Sequence, residues 1–127
     1  MAQAFLVAPD LDAGRKFVDL LNRSGVPITA ALWQCDESMD ANQWELDLVS
    51  PLVDEAGIKE AYRKMLAVLD STGDPPLLNG LDVRLYSPKE PFLKSLRRTF
   101  KGKRDIKLGG GPVGDHILDP GYLYFVK

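Results

Sequence analysis

The residue pattern predicts a single α+β domain over residues 1–127: a mixed β-sheet of about five strands with a central β-α-β crossover, three helices and a C-terminal β-hairpin. Three observations lead there. Stretches of helical and of strand periodicity alternate along the chain. Two strand candidates end in the same way, LVSP at 48–51 and LYSP at 85–88, and a helical segment follows each. The C-terminal quarter breaks into short β-prone runs separated by glycine and proline.

The first strong element is a helix over residues 10–25, in which Leu11, Phe17, Val18 and Leu21 share a face and Gly25 supplies the stop. Residues 4–9, AFLVAP, read as a short strand before it. Two strands follow at 27–35 and 43–50, joined by the polar loop DESMDAN. In the second, Trp44, Leu46 and Leu48 alternate with Glu45 and Asp47, so the acids are expected on a solvated face. The next helix, 58–69, sets Ile58, Ala61, Tyr62, Met65 and Leu69 on one stripe. Gly73, Pro75 and Pro76 interrupt the pattern, and 81–87 resumes as a strand. Ser87, Pro88 and Glu90 then fit N-cap, N1 and N3 of a capping box opening a helix over 88–101. A crossover between parallel strands puts both Ser-Pro corners at one end of the sheet, and helices are expected mainly on one face. Asp119-Pro120-Gly121 is turn chemistry and predicts a hairpin of 113–118 with 122–126.

Composition narrows the function classes. A chain of 127 residues can remove roughly two-thirds of its unfolded surface from water without disulfides or metals. With one cysteine and one histidine, an intramolecular disulfide and the common Cys/His zinc sites are excluded. No run of 18 apolar residues occurs, and the start MAQAFLVAP lacks a basic segment and a long apolar core. A soluble, cytoplasmic protein without membrane contact is expected. No cofactor or metal is expected either.

The charge is distributed unevenly. Residues 1–82 carry 14 acidic and 6 basic side chains, net −8, whereas residues 83–127 carry 4 acidic and 10 basic, net +6. Such asymmetry points to an anionic partner or to self-association through complementary surfaces. Its positive pole is specific: Lys94, Arg97, Arg98 and Lys101 recur at i, i+3, i+4 and i+7 and form one stripe, which Lys103, Arg104 and Lys107 extend.

The remaining motifs carry less. Gly109, Gly111 and Gly114 spell G-x-G-x-x-G, but only 13 residues follow and they read as strands, so no dinucleotide unit is present. These glycines read as a turn or bulge. His116 is the candidate general base, with Cys35, Ser50 or Ser87 as the nucleophile it would need, although no nucleophile signature surrounds any of them. Cys35, beside Trp33, fits a small buried hydrophobe. The cluster Asp36, Glu37, Asp40, Glu45 and Asp47 lacks the spacing of a calcium loop and reads as a solvated surface. Ser50 and Ser87, at helix starts, are a candidate anion site. The pattern as a whole predicts a non-catalytic binding or accessory protein that acts through protein-protein contacts. The alternatives are a nucleic-acid-binding protein using the basic helix 88–101 and the tract after it, and a small hydrolase or transferase using His116.

Overall fold

A computed structural model describes residues 8–36, 43–114, 116–118 and 121–127. The order is α1 (Ala8–Arg23), β1 (Ala30–Asp36), β2 (Gln43–Val49), α2 (Leu52–Ala56), α3 (Ile58–Asp70), β3 (Val83–Tyr86), α4 (Pro91–Phe100), β4 (Arg104–Leu108), β5 (Gly111–Val113), β6 (His116–Leu118) and β7 (Gly121–Val126). Five strands form one mixed sheet in the order β3-β2-β1-β7-β4, and β5 with β6 forms a separate pair. The chain has the α+β architecture read from its periodicities. No helix among the described residues is long and apolar enough to cross a membrane.

The crossover forms as predicted. β2 and β3 run parallel, with Leu46 opposite Val83 and Val49 opposite Tyr86, and α2 and α3 make the connection. The short α2 is an element additional to the three predicted helices. Gly57, at φ +90°, separates it from α3, a conformation that glycine adopts without steric cost. α1 ends as predicted, with Gly25 at φ +87° and the Val26 N–H bonded back to the Leu21 carbonyl at 2.9 Å. The strand read at 4–9 falls largely on residues outside those described, and Ala8 and Pro9 belong to α1.

Alternation along the strands sends side chains to two cores. On one face Ala31, Trp33, Leu46, Leu48, Val83, Leu85 and Tyr124 meet Phe17 and Leu21 of α1 and Ala61, Met65 and Leu69 of α3. On the other, Ala30, Leu32, Val49, Leu123 and Val126 meet Leu93 and Leu96 of α4 together with Leu108 and Val113. Three of the four helices, α1, α2 and α3, lie on the first face, as expected, and α4 covers the second. The reason lies in the strands: β1 and β7 are apolar at consecutive positions, which suits burial on both sides.

Two local expectations change. The C-terminal hairpin exists, but it pairs β5 with β6, Gly111 opposite Leu118, and not 113–118 with 122–126. β7 instead enters the main sheet between β1 and β4, because a strand buried on both faces belongs in its interior. At the start of α4 the capping box does not form. Pro91 occupies the first turn, Glu90 stands at the N-cap without a side-chain bond, and residues 88–90 form a turn before the helix.

Candidate functional site

The predicted basic stripe sits on α4, and packing decides which of its members face solvent. Leu93 and Leu96 are buried in the second core, with Phe92 and Phe100 packed against it. Anchored this way, α4 turns Lys94 and Arg98 outward, and Lys101, at its C-cap and not inside the helix as predicted, follows them; all three are exposed. Arg97 lies partly buried between them, its Nε donating to the Lys127 carbonyl at 3.0 Å and its Nη2 to the Pro88 carbonyl at 3.4 Å. It is a strut linking α4 to the end of β7. Arg97 and Arg98 also lie in the last helical turn, where positive charge complements the helix dipole.

The tract after α4 divides. Gly102, at φ +84°, turns the chain after the helix, leaving Lys103 exposed beside Lys101. Arg104 does not extend the stripe: its guanidinium lies over the Phe125 ring, 5.8 Å from the centroid, and Phe125 packs on the α1 side of the sheet. Lys107 is exposed on β4 opposite Tyr122, which faces that same α1 side. The seven basic residues within 94–107 thus serve two faces. Lys94, Arg98, Lys101 and Lys103 form no salt bridge among the described residues.

The Ser-Pro corners meet as the parallel strands require: the Ser50 N–H donates to the Tyr86 carbonyl at 3.1 Å. Their hydroxyls are turned to partners within the fold. Buried Ser50 accepts the Leu52 N–H at 3.2 Å through Oγ. Ser87 donates to the Asp54 carboxylate at 2.8 Å and accepts the Lys89 N–H at 3.0 Å. A carboxylate stands where an anion was expected.

His116 belongs to β6, its backbone opposite Val113, and its side chain lies outside what the structure describes. Of the nucleophiles weighed with it, Cys35 and Ser50 are buried and Ser87 is held by Asp54. Burial of Cys35 matches the reading of a small hydrophobe.

The structure corrects the acidic cluster. Glu37 and Asp40 lie outside the described residues, as does the Asp36 side chain, but Asp47 is completely buried, not solvated. Its face of β2 looks into the side of the sheet that α4 covers. Gln34 Nε2 donates to Asp47 Oδ2, and no donor from another residue reaches Oδ1. Glu45, two residues back, receives the Tyr86 hydroxyl and pairs with Arg84, each at 3.4 Å. Burial raises the Asp47 carboxyl well above the usual carboxylate range, and hydrogen bonding and charge from Glu45 add to the effect. Gln34 and Arg84 act in the opposite direction. The same carboxyls, after burial itself, push the Tyr86 hydroxyl upward. Asp47 accordingly holds a proton where an ordinary aspartate has lost its own. Among the described residues no group of three or more His, Cys, Asp or Glu side chains is placed to hold a metal ion.

No family model, curated protein or solved structure matches this chain, so a functional reading rests on its own residues.

Proposed function

We propose that this protein is a non-catalytic binding protein that engages an acidic protein partner through the outer face of α4 and the turn that follows it. One observation carries the reading: Lys94, Arg98, Lys101 and Lys103 are exposed and form no ion pair among the described residues, the first two on a helix whose opposite side is fixed in a core and the others in the turn after it. Unpaired charge on a rigid element is ready for an opposite charge at little ordering cost.

The distribution of aromatic side chains favours a protein over a nucleic acid. Single-stranded binding uses rings beside the cations as stacking platforms. Here Phe92 and Phe100 are turned into the second core, while Tyr122, Tyr124 and Phe125 pack on the far face of the sheet. A second copy of the chain, through its acidic first half, satisfies the same chemistry as an unlike partner.

Retention on immobilised polyglutamate tests the proposal. The wild-type chain is expected to be held at physiological ionic strength, and the triple variant K94E/R98E/K101E to bind about tenfold more weakly, at roughly 0.5 kcal/mol for each exposed pair. Equal retention of both chains removes the reading. Tighter retention of the wild type on duplex DNA than on polyglutamate transfers it to a nucleic acid.

A further inference from the structure

On the face of the sheet opposite the α4 stripe, α1, β4 and β7 enclose a cleft of about 250 Å³ whose lining includes Arg15, Arg104, Asp105, Tyr124, Phe125 and Lys127. We propose that this cleft binds a small aryl anion, a single aromatic ring bearing a carboxylate or phosphate group. The volume is below the roughly 300–1,000 Å³ of sites that take drug-sized ligands, so the occupant is small.

The wall of the cleft is fixed by a network that spans the chain. Tyr124 donates its hydroxyl to the Leu11 carbonyl at 2.6 Å and accepts the Trp33 indole N–H at 2.8 Å. Gly14 on α1 leaves no room for a side chain between helix and ring, since a Cβ there would strike the Tyr124 hydroxyl. Arg15 lies over the Tyr124 ring, 5.3 Å from its centroid, and donates to Asp105 Oδ1 at 2.9 Å. Asp105 also accepts the Tyr122 hydroxyl at 3.0 Å, and it does so from a backbone φ of +54°, which L side chains seldom adopt. Held strain of this kind collects at ligand sites.

That network leaves the cleft with unbalanced positive charge. Its two acids are committed, Asp105 to Arg15 and Asp19 to Arg23. Arg104 and Lys127 have no salt-bridge partner among the described residues, and both cations lie 5.8 Å from the centroid of one ring, Phe125. A guanidinium stacks on aromatic planes and grips carboxylate or phosphate oxygens in pairs, so Arg104 can serve both halves of an aryl anion. Lys127 adds a second positive charge beside the same ring.

Titration with phenyl phosphate and with inorganic phosphate, followed by amide and arginine side-chain NMR, tests the site. Phenyl phosphate is expected to shift Arg104, Tyr124 and Phe125 and to bind at least tenfold tighter than phosphate, and Arg104→Gln is expected to weaken it at least tenfold with unchanged thermal unfolding. Phe125→Leu is expected to weaken phenyl phosphate while leaving inorganic phosphate unaffected. Tighter binding of a phosphotyrosine peptide than of phenyl phosphate assigns the ligand to a protein side chain, and the reverse order assigns it to a free small molecule. Equal affinity for phenyl phosphate and phosphate, or an unaltered affinity in Arg104→Gln, overturns the proposal. Both are independent of polyglutamate binding to α4.

Discussion

Gly121→Ala is expected to destabilise the fold by about 3 kcal/mol or more, the upper end of the overpacking range, or to prevent folding. Gly121 opens β7 opposite Gln34 of β1 and Leu108 of β4, so it is flanked by backbone on both sides. A methyl group there would occupy the position of the Trp33 carbonyl, which is main chain and cannot swing aside. Accommodation requires β1 and β7 to separate, which opens the centre of the sheet between both cores. Chemical denaturation measures the loss. Stability within 0.5 kcal/mol of wild type, the range of a neutral surface change, contradicts the close approach.

Asp47→Asn is expected to stabilise the protein at neutral pH by about 1–3 kcal/mol, the free energy that folding spends to keep the Asp47 proton where the unfolded chain has released it. The amide keeps an oxygen for Gln34 and offers an N–H₂ on the side of Glu45, without a proton to hold. The pH dependence follows from the raised carboxyl. The unfolded chain releases this proton near pH 3.9, whereas the folded chain retains it to higher pH. Between those values the unfolded state binds fewer protons, so the contribution of Asp47 to stability is full below about pH 4 and declines as pH rises toward the folded-state value. The asparagine variant lacks that decline. Denaturation curves for both chains from pH 4 to 8 show it as a gap that widens with pH. A constant gap, or a variant less stable at pH 7, refutes the buried protonated acid.

What the sequence made legible was whatever depends on near neighbours along the chain. The stripe Phe17-Val18-Leu21, the alternation Trp44-Leu46-Leu48 and the stop at Gly25 are local signals, and α1, β2 and the α1 C-cap appear where those signals put them. Even the parallel pairing of β2 with β3 was visible, because two strand ends share a Ser-Pro corner. The burial of Asp47 escapes such signals for the opposite reason. Alternation separates the two faces of a strand but does not say which is wet, and only the placement of α4 makes the acidic face of β2 an interior. The same holds for β7: Asp119 and Pro120 of the predicted turn lie outside the described residues, and double-sided burial of Gly121–Val126 decides the partners of the strand. On the functional side, helical spacing found Lys94, Arg98 and Lys101, while the division that sends Arg104 to the other face depends on its contact with Phe125. The Arg15–Asp105 pair joins residues 90 positions apart and left no trace in either segment.

The binding face is tested most directly by mapping amide and lysine side-chain shifts of the labelled protein as a polyglutamate peptide is added. The proposal predicts that the largest shifts fall on Lys94, Arg98, Lys101 and Lys103 and diminish with added salt, and that the shift at Lys103 needs about tenfold more peptide in K94E/R98E/K101E. Largest shifts on α1 or α3, or a pattern that the triple variant preserves, would contradict it.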